Sequence, residues 1–299
     1  MIRRVTERTL LPRLLNHLNT SRNRINEFQI KIATAQQINK PSDDPYNVEN
    51  VLHYKSSLSR NDQYQTTLRE SIEFLTTSAN SLDSMSDILI EVKSTLLTGI
   101  DDIGTSSNSA YQQSMDGYLK ELLQQAQTQY RDQYVFGGTN LGEKPYELNG
   151  TETAVIENAN GVDGKVRREL SEKRIEAINI PGKEVLNNTV DTFQLLIDIR
   201  DAFAINDKTT LQGLVANVDT ALDQVLIKST EAGKRINRYT VLASRYQFEQ
   251  TQTLGNLSQV QDINVAEVVT QLQAEETALN AALNVIGRLS QPTLLDYVR

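Results

Sequence analysis

The sequence predicts a mainly α protein with a small β-rich insertion, arranged as an elongated rod of long antiparallel coiled-coil helices with paired N- and C-terminal helices. Three observations carry that expectation. Apolar residues recur at every seventh position in four separate stretches, the signature of supercoiled helix pairs. Only six prolines and 14 glycines interrupt 299 residues, which favours long unbroken helices. Aromatic residues make up 6 % with no tryptophan, so the chain suits a long thin seam better than a deep globular core.

The first stretch places Leu11, Leu18, Ile25 and Ile32 at one heptad position and Leu14, Ser21, Phe28 and Ala35 at the other. The last stretch repeats it with Val265, Leu272, Leu279 and Ile286, accompanied by Val268, Glu275, Ala282 and Leu289. The two seams match in length, about 25 residues or roughly 37 Å of helix, and each contains one polar break, Ser21 and Glu275. The economical expectation is that these helices pair. Between the first helix and the next, Pro41 disfavours helical geometry at Lys40 and ends the helix there. Ser42 and Asp44 are good N-caps, Asp43 and Asp44 suit the positive end of a new helix, and Pro45 fits its first position.

The second rod carries Leu68, Leu75, Leu82, Leu89 and Leu96 on one stripe, with Ile72, Ala79, Met85 and Val92 beside it. Gly99 to Ser109 reads as a loop, followed by a shorter helix presenting Met115, Leu119, Leu122, Ala126 and Tyr130. Composition then changes. Seven of the 14 glycines lie between Gly137 and Gly182, and runs such as Thr153-Ala154-Val155-Ile156 and Lys165-Val166-Arg167 flank the turn Asn158-Ala159-Asn160-Gly161. Helix resumes with Phe193, Leu196, Ile199 and Phe203. A final long seam, Leu211, Val218, Val225, Ala232, Tyr239 and Tyr246, with Leu222 and Ile236, is the natural antiparallel partner of the leucine stripe. The expected domains are a terminal assembly domain (1–41 and 258–299), a helical rod (42–135 and 185–257) and a β-rich outer tip (136–184).

Composition also excludes functions. A net charge of −8 without a long basic stripe argues against nucleic acid. The basic group Arg3, Arg4, Arg8 and Arg13 reads as a solvated helix face. The absence of cysteine removes disulfides, thiolate chemistry and cysteine-type zinc sites. The first thirty residues lack the apolar run of a signal peptide, and no stretch approaches the roughly 18 apolar residues that span a bilayer, so membrane insertion is not expected. His17 and His53 have no ligand-spaced partners, the pairs Asp43-Asp44 and Asp101-Asp102 read as cap and loop, and Gly137-Gly138 lacks the context of a phosphate loop. No catalytic residue, cofactor or metal is expected.

Four segments resemble bacterial flagellins and their relatives. Ile38-Asn39-Lys40-Pro41-Ser42-Asp43-Asp44-Pro45 is similar to the break between terminal and inner rod in that family. Tyr134-Val135-Phe136-Gly137-Gly138-Thr139 resembles the start of the β-rich outer part in its hook–filament junction members. Gly233-Lys234-Arg235-Ile236-Asn237-Arg238 resembles the matching signature on the returning helix. Leu289-Ser290-Gln291-Pro292-Thr293-Leu294-Leu295-Asp296-Tyr297-Val298 is similar to the junction C-terminus more than to that of filament flagellin. The resemblance implies a secreted bacterial protein exported by the flagellar type III apparatus. It also implies assembly as a homo-oligomeric ring between a hook-side junction protein and flagellin, and an export chaperone on the C-terminal helix. The competing readings are the filament flagellin subunit itself and a cytoplasmic coiled-coil adaptor. The short terminal seams are expected to be incompletely ordered until packed against neighbours.

Overall fold

The computed structural model describes residues 2–103, 108–149 and 154–289. In chain order these form α1 (Ile2–Thr34), α2 (Asn47–Asp101), α3 (Asn108–Ala126), β1 (Gln129–Tyr130), β2 (Gln133–Tyr134), β3 (Tyr146–Leu148) and β4 (Val155–Glu157). There follow β5 (Arg167–Ser171), β6 (Arg174–Ala177), α4 (Gly182–Leu186), α5 (Thr192–Ala204), α6 (Lys208–Gln261) and α7 (Val265–Leu289). Two compact units result: residues 1–60 with 249–299, and residues 61–248. The second unit includes both the leucine-lined rod and the hairpin-bearing segment between residues 129 and 177.

In the larger unit the leucine stripe is the core. Leu68, Leu75, Leu82, Leu89 and Leu96 are all fully buried, as are Val218, Val225 and Tyr239 on the returning helix, with Ile236 packed against them. α2 and α6 run antiparallel: Asn61 donates its side-chain amide to the Tyr246 carbonyl at 3.0 Å, Ser229 to Asp83 at 2.7 Å, and Lys93 pairs with Asp219 at 2.6 Å. α3 folds back along α2, where Ser81 Oγ donates to the Gln125 carbonyl and the Thr95 and Tyr118 hydroxyls meet. α5 lies against α3, with Tyr111 stacked on Phe203 and Arg200 bonded to Asp116. Asp191 caps α5 by accepting from Phe193 N and Gln194 N, and Asp207 does the same for α6 at Thr209 N and Thr210 N.

Two local expectations differ from the structure. Gly99 lies inside α2 and not in a loop; a Cβ there would sit 2.5 Å from the Phe203 ring, so glycine admits the close approach of α5. Tyr130 belongs to β1 and not to a helix face, because α3 stops at Ala126 and the chain turns into a hairpin. That hairpin, β1–β2, turns on Arg131 and Asp132, both at positive φ without glycine, so no turn signal marks it. The serine-rich loop lies partly outside the described residues, at 104–107, and so does Thr153.

The other hairpins pair Tyr146 with Glu157 (β3–β4) and Arg168 with Glu176 (β5–β6), the latter with an irregularity between Glu169 and Ser171. An isolated two-stranded hairpin is marginal in water. These are stabilised by sending Tyr146, Leu170, Ile178 and Ile180 into the same core as the helices.

Candidate assembly surface

In the terminal unit α1 packs against α7, antiparallel, with an antiparallel bridge between Gln36 and Asp262 at its closed end. The two polar breaks of the seams meet: Ser21 Oγ donates to Glu275 Oε1 at 2.6 Å, and Arg24 Nη1 lies 3.9 Å from the same oxygen. A single polar rung in an apolar seam fixes register, since any slip leaves both groups unpaired. Along the seam Leu18 is buried, while Leu14, Ile25, Phe28 and Ile32 on α1 are half-buried. Val268, Leu272, Leu279, Ala282 and Ile286 on α7 are also half-buried, and Val265, at the first position of α7, is exposed. The side chains of Leu11 and Leu289 lie outside the described residues, as do Ser290 to Val298. Leu15, Ile30, Val265, Leu283 and Val285 are between 41 % and 49 % exposed, so apolar surface continues away from the seam on both helices.

The domain break differs in detail from its expectation. α1 ends at Thr34, not at Lys40, because Ala35 adopts a left-handed backbone with φ 56° and the chain leaves the helix to join α6 and α7. There Gln37 N donates to the Gln261 carbonyl at 2.6 Å, Ile263 N to the Ala35 carbonyl, and the buried Gln261 side chain reaches Gln36. Asp44 is the N-cap of α2, accepting from Tyr46 N, Asn47 N and the Asn47 side chain. Those bonds, the Asn47 side chain first, hold its carboxyl below its ordinary range. Asp43 does not serve the helix end. It accepts from Lys40 N and Asn39 N, which lower its pKa and tie the turn containing Pro41 and Ser42. Pro41, Ser42 and Pro45 are exposed.

The two inner motifs come together through a residue that sequence patterning missed. Asn179 is fully buried; its Oδ1 accepts from Val166 N at 2.8 Å, and its Nδ2 donates to the Gly138 and Gly164 carbonyls. Its own carbonyl accepts from Arg235 Nη1 at 3.0 Å, which also reaches the Ala177 carbonyl. Gly138, at φ +63°, passes so close to the Gly161 carbonyl that an added Cβ would lie 1.9 Å from that oxygen. Next to this joint Glu176 accepts from Arg174, Arg238 and the Tyr239 hydroxyl. Burial would raise its pKa, but the Arg174 hydrogen bond and the Arg238 charge outweigh that and hold it low. A single buried asparagine between glycine-bearing loops has no periodic signal. Gln224, which holds Thr189 N and Val190 N ahead of α5, was missed for the same reason.

Among the described residues no group of three or more His, Asp or Glu side chains is placed to hold a metal ion, and no helix is long and apolar enough to cross a membrane. His17 and His53 are both exposed.

Residues 10–141 match the family model for the bacterial flagellin N-terminal helical region. No curated protein sequence matches. Among solved structures, a Vibrio parahaemolyticus protein assigned as flagellar hook-associated superposes with a TM-score of 0.63 at 19 % identity, over 74 % of this chain and 100 % of its own. Bacillus cereus FlgL gives 0.58 at 18 % identity, covering 69 % of this chain and 99 % of its own. Xanthomonas campestris FlgL gives 0.58 at 12 % identity, covering 68 % and 98 %. Residues 10–141 are thus similar to the N-terminal helical region of the bacterial flagellins, and over 68 % to 74 % of its length the chain shares the fold of these hook-associated and FlgL structures.

Proposed function

We propose that this chain is a non-catalytic structural subunit of the bacterial flagellum, exported and assembled as a ring that joins the hook, through a hook-side junction protein, to the flagellin filament. The observation that carries the proposal is the incomplete burial of the terminal pair. Among the described side chains of its two seams only Leu18 is buried, and apolar side chains remain exposed on both helices. Contiguous apolar surface of this kind marks an interaction site, and a short isolated helix pair gains too little from one seam to be stable alone. Pro12 inside α1 removes one further backbone donor. Packing terminal helices of neighbouring subunits together completes the burial and couples ordering to assembly. The shared fold with FlgL-type proteins supports the junction as the site of assembly. The same exposed face of α7 suits an export chaperone that holds the helix before secretion.

The test is deletion of the gene, with electron microscopy of the cells and an assay for flagellin in the medium. Bare hooks with flagellin leaking into the medium are expected. Bare hooks without leaked flagellin would make the chain the filament subunit. Normal filaments would overturn both readings in favour of a cytoplasmic adaptor.

A further inference from the structure

Along α2 and α6 the larger unit leaves an apolar strip exposed. Between the rungs formed by Ser229 with Asp83 and Lys93 with Asp219, α2 and α6 leave Ile90 and Leu226 open, Ile90 being 51 % exposed. Helical spacing puts Asp83, Ile90 and Leu97 on one stripe of α2, and Asp219 and Leu226 on the facing stripe of α6. The rim is acidic. Asp87, Glu91 and Asp223 are exposed beside these stripes, and Asp87 and Asp223 take part in no ion pair among the described residues; the two cations on these stretches are already paired, Lys93 with Asp219 and Lys228 with Glu184 and Glu231.

The β5–β6 hairpin presents the complement. Ile175, on β6, is 64 % exposed, a β-strand apolar side chain facing water. Its register partner is Glu169, and the next pair on the same face is Arg167 with Ala177. Glu169 is engaged by the Tyr64 hydroxyl, Arg168 by Glu70, and Arg174 and Glu176 bond each other. Arg167 and Lys173 are left exposed without an ion-pair partner among the described residues, with Glu172 at the tip as the opposing charge. From residue 165 to 176 there are five cations and three acids, a positive segment in a chain of net charge −8. The hairpin is anchored at Glu70 of α2, and Asp87 lies roughly 25 Å further along that helix. It therefore does not reach the groove of its own chain.

We infer that the β5–β6 hairpin of one subunit docks into the α2–α6 groove of the next copy of this chain, with Ile175 entering between Ile90 and Leu226 and Arg167 and Lys173 facing Asp87 and Asp223. The contact is heterologous, hairpin to groove, and a heterologous contact repeated with closing rotation generates a ring. It rests on the proposal that the chain assembles with itself. One apolar knob and two charge pairs make a weak contact singly; the terminal helices of the same subunits raise its effective concentration.

The test exploits the absence of cysteine. Full-length chains carrying Ile175→Cys are mixed with chains carrying Leu226→Cys and exposed to a mild oxidant, beside a control mixture of Ile175→Cys with Ile156→Cys, another exposed strand position. A mixed disulfide dimer is expected at least about tenfold faster than in the control. The advantage should disappear near 1 M salt, where the screening length is about 3 Å. Rates equal to the control at low salt would overturn the inference. In cells, reversing Arg167 and Lys173 to Glu, or Asp87 and Asp223 to Lys, should each reduce motility, and the chain with both reversals should regain it, because every copy then carries both altered partners. Each variant's thermal unfolding is checked against the parent. Double reversal no better than either single reversal would also overturn it. Because the crosslink is read on purified protein, its failure leaves the deletion phenotype standing, and normal filaments after deletion would sink the junction reading without touching the crosslink.

Discussion

Two residues at the inner joint carry more than their size suggests. Asn179, itself fully buried, satisfies one donor and two acceptors from two backbone segments. Asn179→Ala leaves those groups unpaired, and buried unpaired groups cost about 1–3 kcal/mol each. A loss of about 2–4 kcal/mol is expected in urea unfolding of the full chain, and a loss near zero would show that water replaces the side chain. Gly138→Ala meets both a left-handed backbone and the Gly161 carbonyl. It should cost more than about 2 kcal/mol by the same measurement. The pair Gly137-Gly138 was visible in the sequence as a motif, but its reason was not, because the crowding atom belongs to Gly161, 23 residues later.

At the scale of elements, the β5–β6 hairpin is fastened to α6 by Glu176. Its folded pKa lies below the ordinary value of 4.5. The stability it contributes is thus fully present above that pH and is lost as pH falls through the lowered folded value. The urea midpoint should therefore drop on acidification below about pH 4.5, and Glu176→Gln should flatten part of that drop while lowering stability near neutrality. An unchanged acid profile in the variant would assign the effect to Glu184 and Glu231, which are also held low: burial opposes this, but the hydrogen bonds of Lys165 and Lys228 prevail at Glu184, and the charge of Arg235 prevails at Glu231. In the terminal pair the rung between Ser21 and Glu275 trades stability for register. Replacing both with Leu should slow hydrogen exchange in α1 and α7, as apolar seam residues pack without desolvating a carboxylate. Faster exchange would mean that the rung holds the pair together.

For the whole molecule, burial is unequally distributed. Residues 61–248 contain the continuous apolar core, and among the described residues the terminal unit buries only a few side chains. Hydrogen exchange on the free subunit should show α2 and α6 between residues 61 and 101 and between 208 and 248 protected to near the global limit. α1 and α7 should exchange with little protection. Strong protection of the termini in the monomer would contradict assembly-coupled ordering. Assembly with neighbours should raise terminal protection selectively, by mass action on the packed state.

By itself the sequence determined what depends on period and local chemistry: the long helices, the leucine stripe, the matched terminal seams with their polar breaks, and the Asp44 cap. Heptad spacing places side chains on one face wherever the partner lies, so these features needed no coordinates. Only the tertiary structure decided the stop of α1 at Thr34, the glycine-free hairpin at Arg131 and Asp132, the place of Gly99 beneath Phe203, and the meeting of Gly138 and Arg235 at Asn179. Each of these depends on hydrogen bonds or close contacts between residues far apart in the chain, or on a backbone conformation that the local residue types do not favour. Such interactions leave no repeat to read.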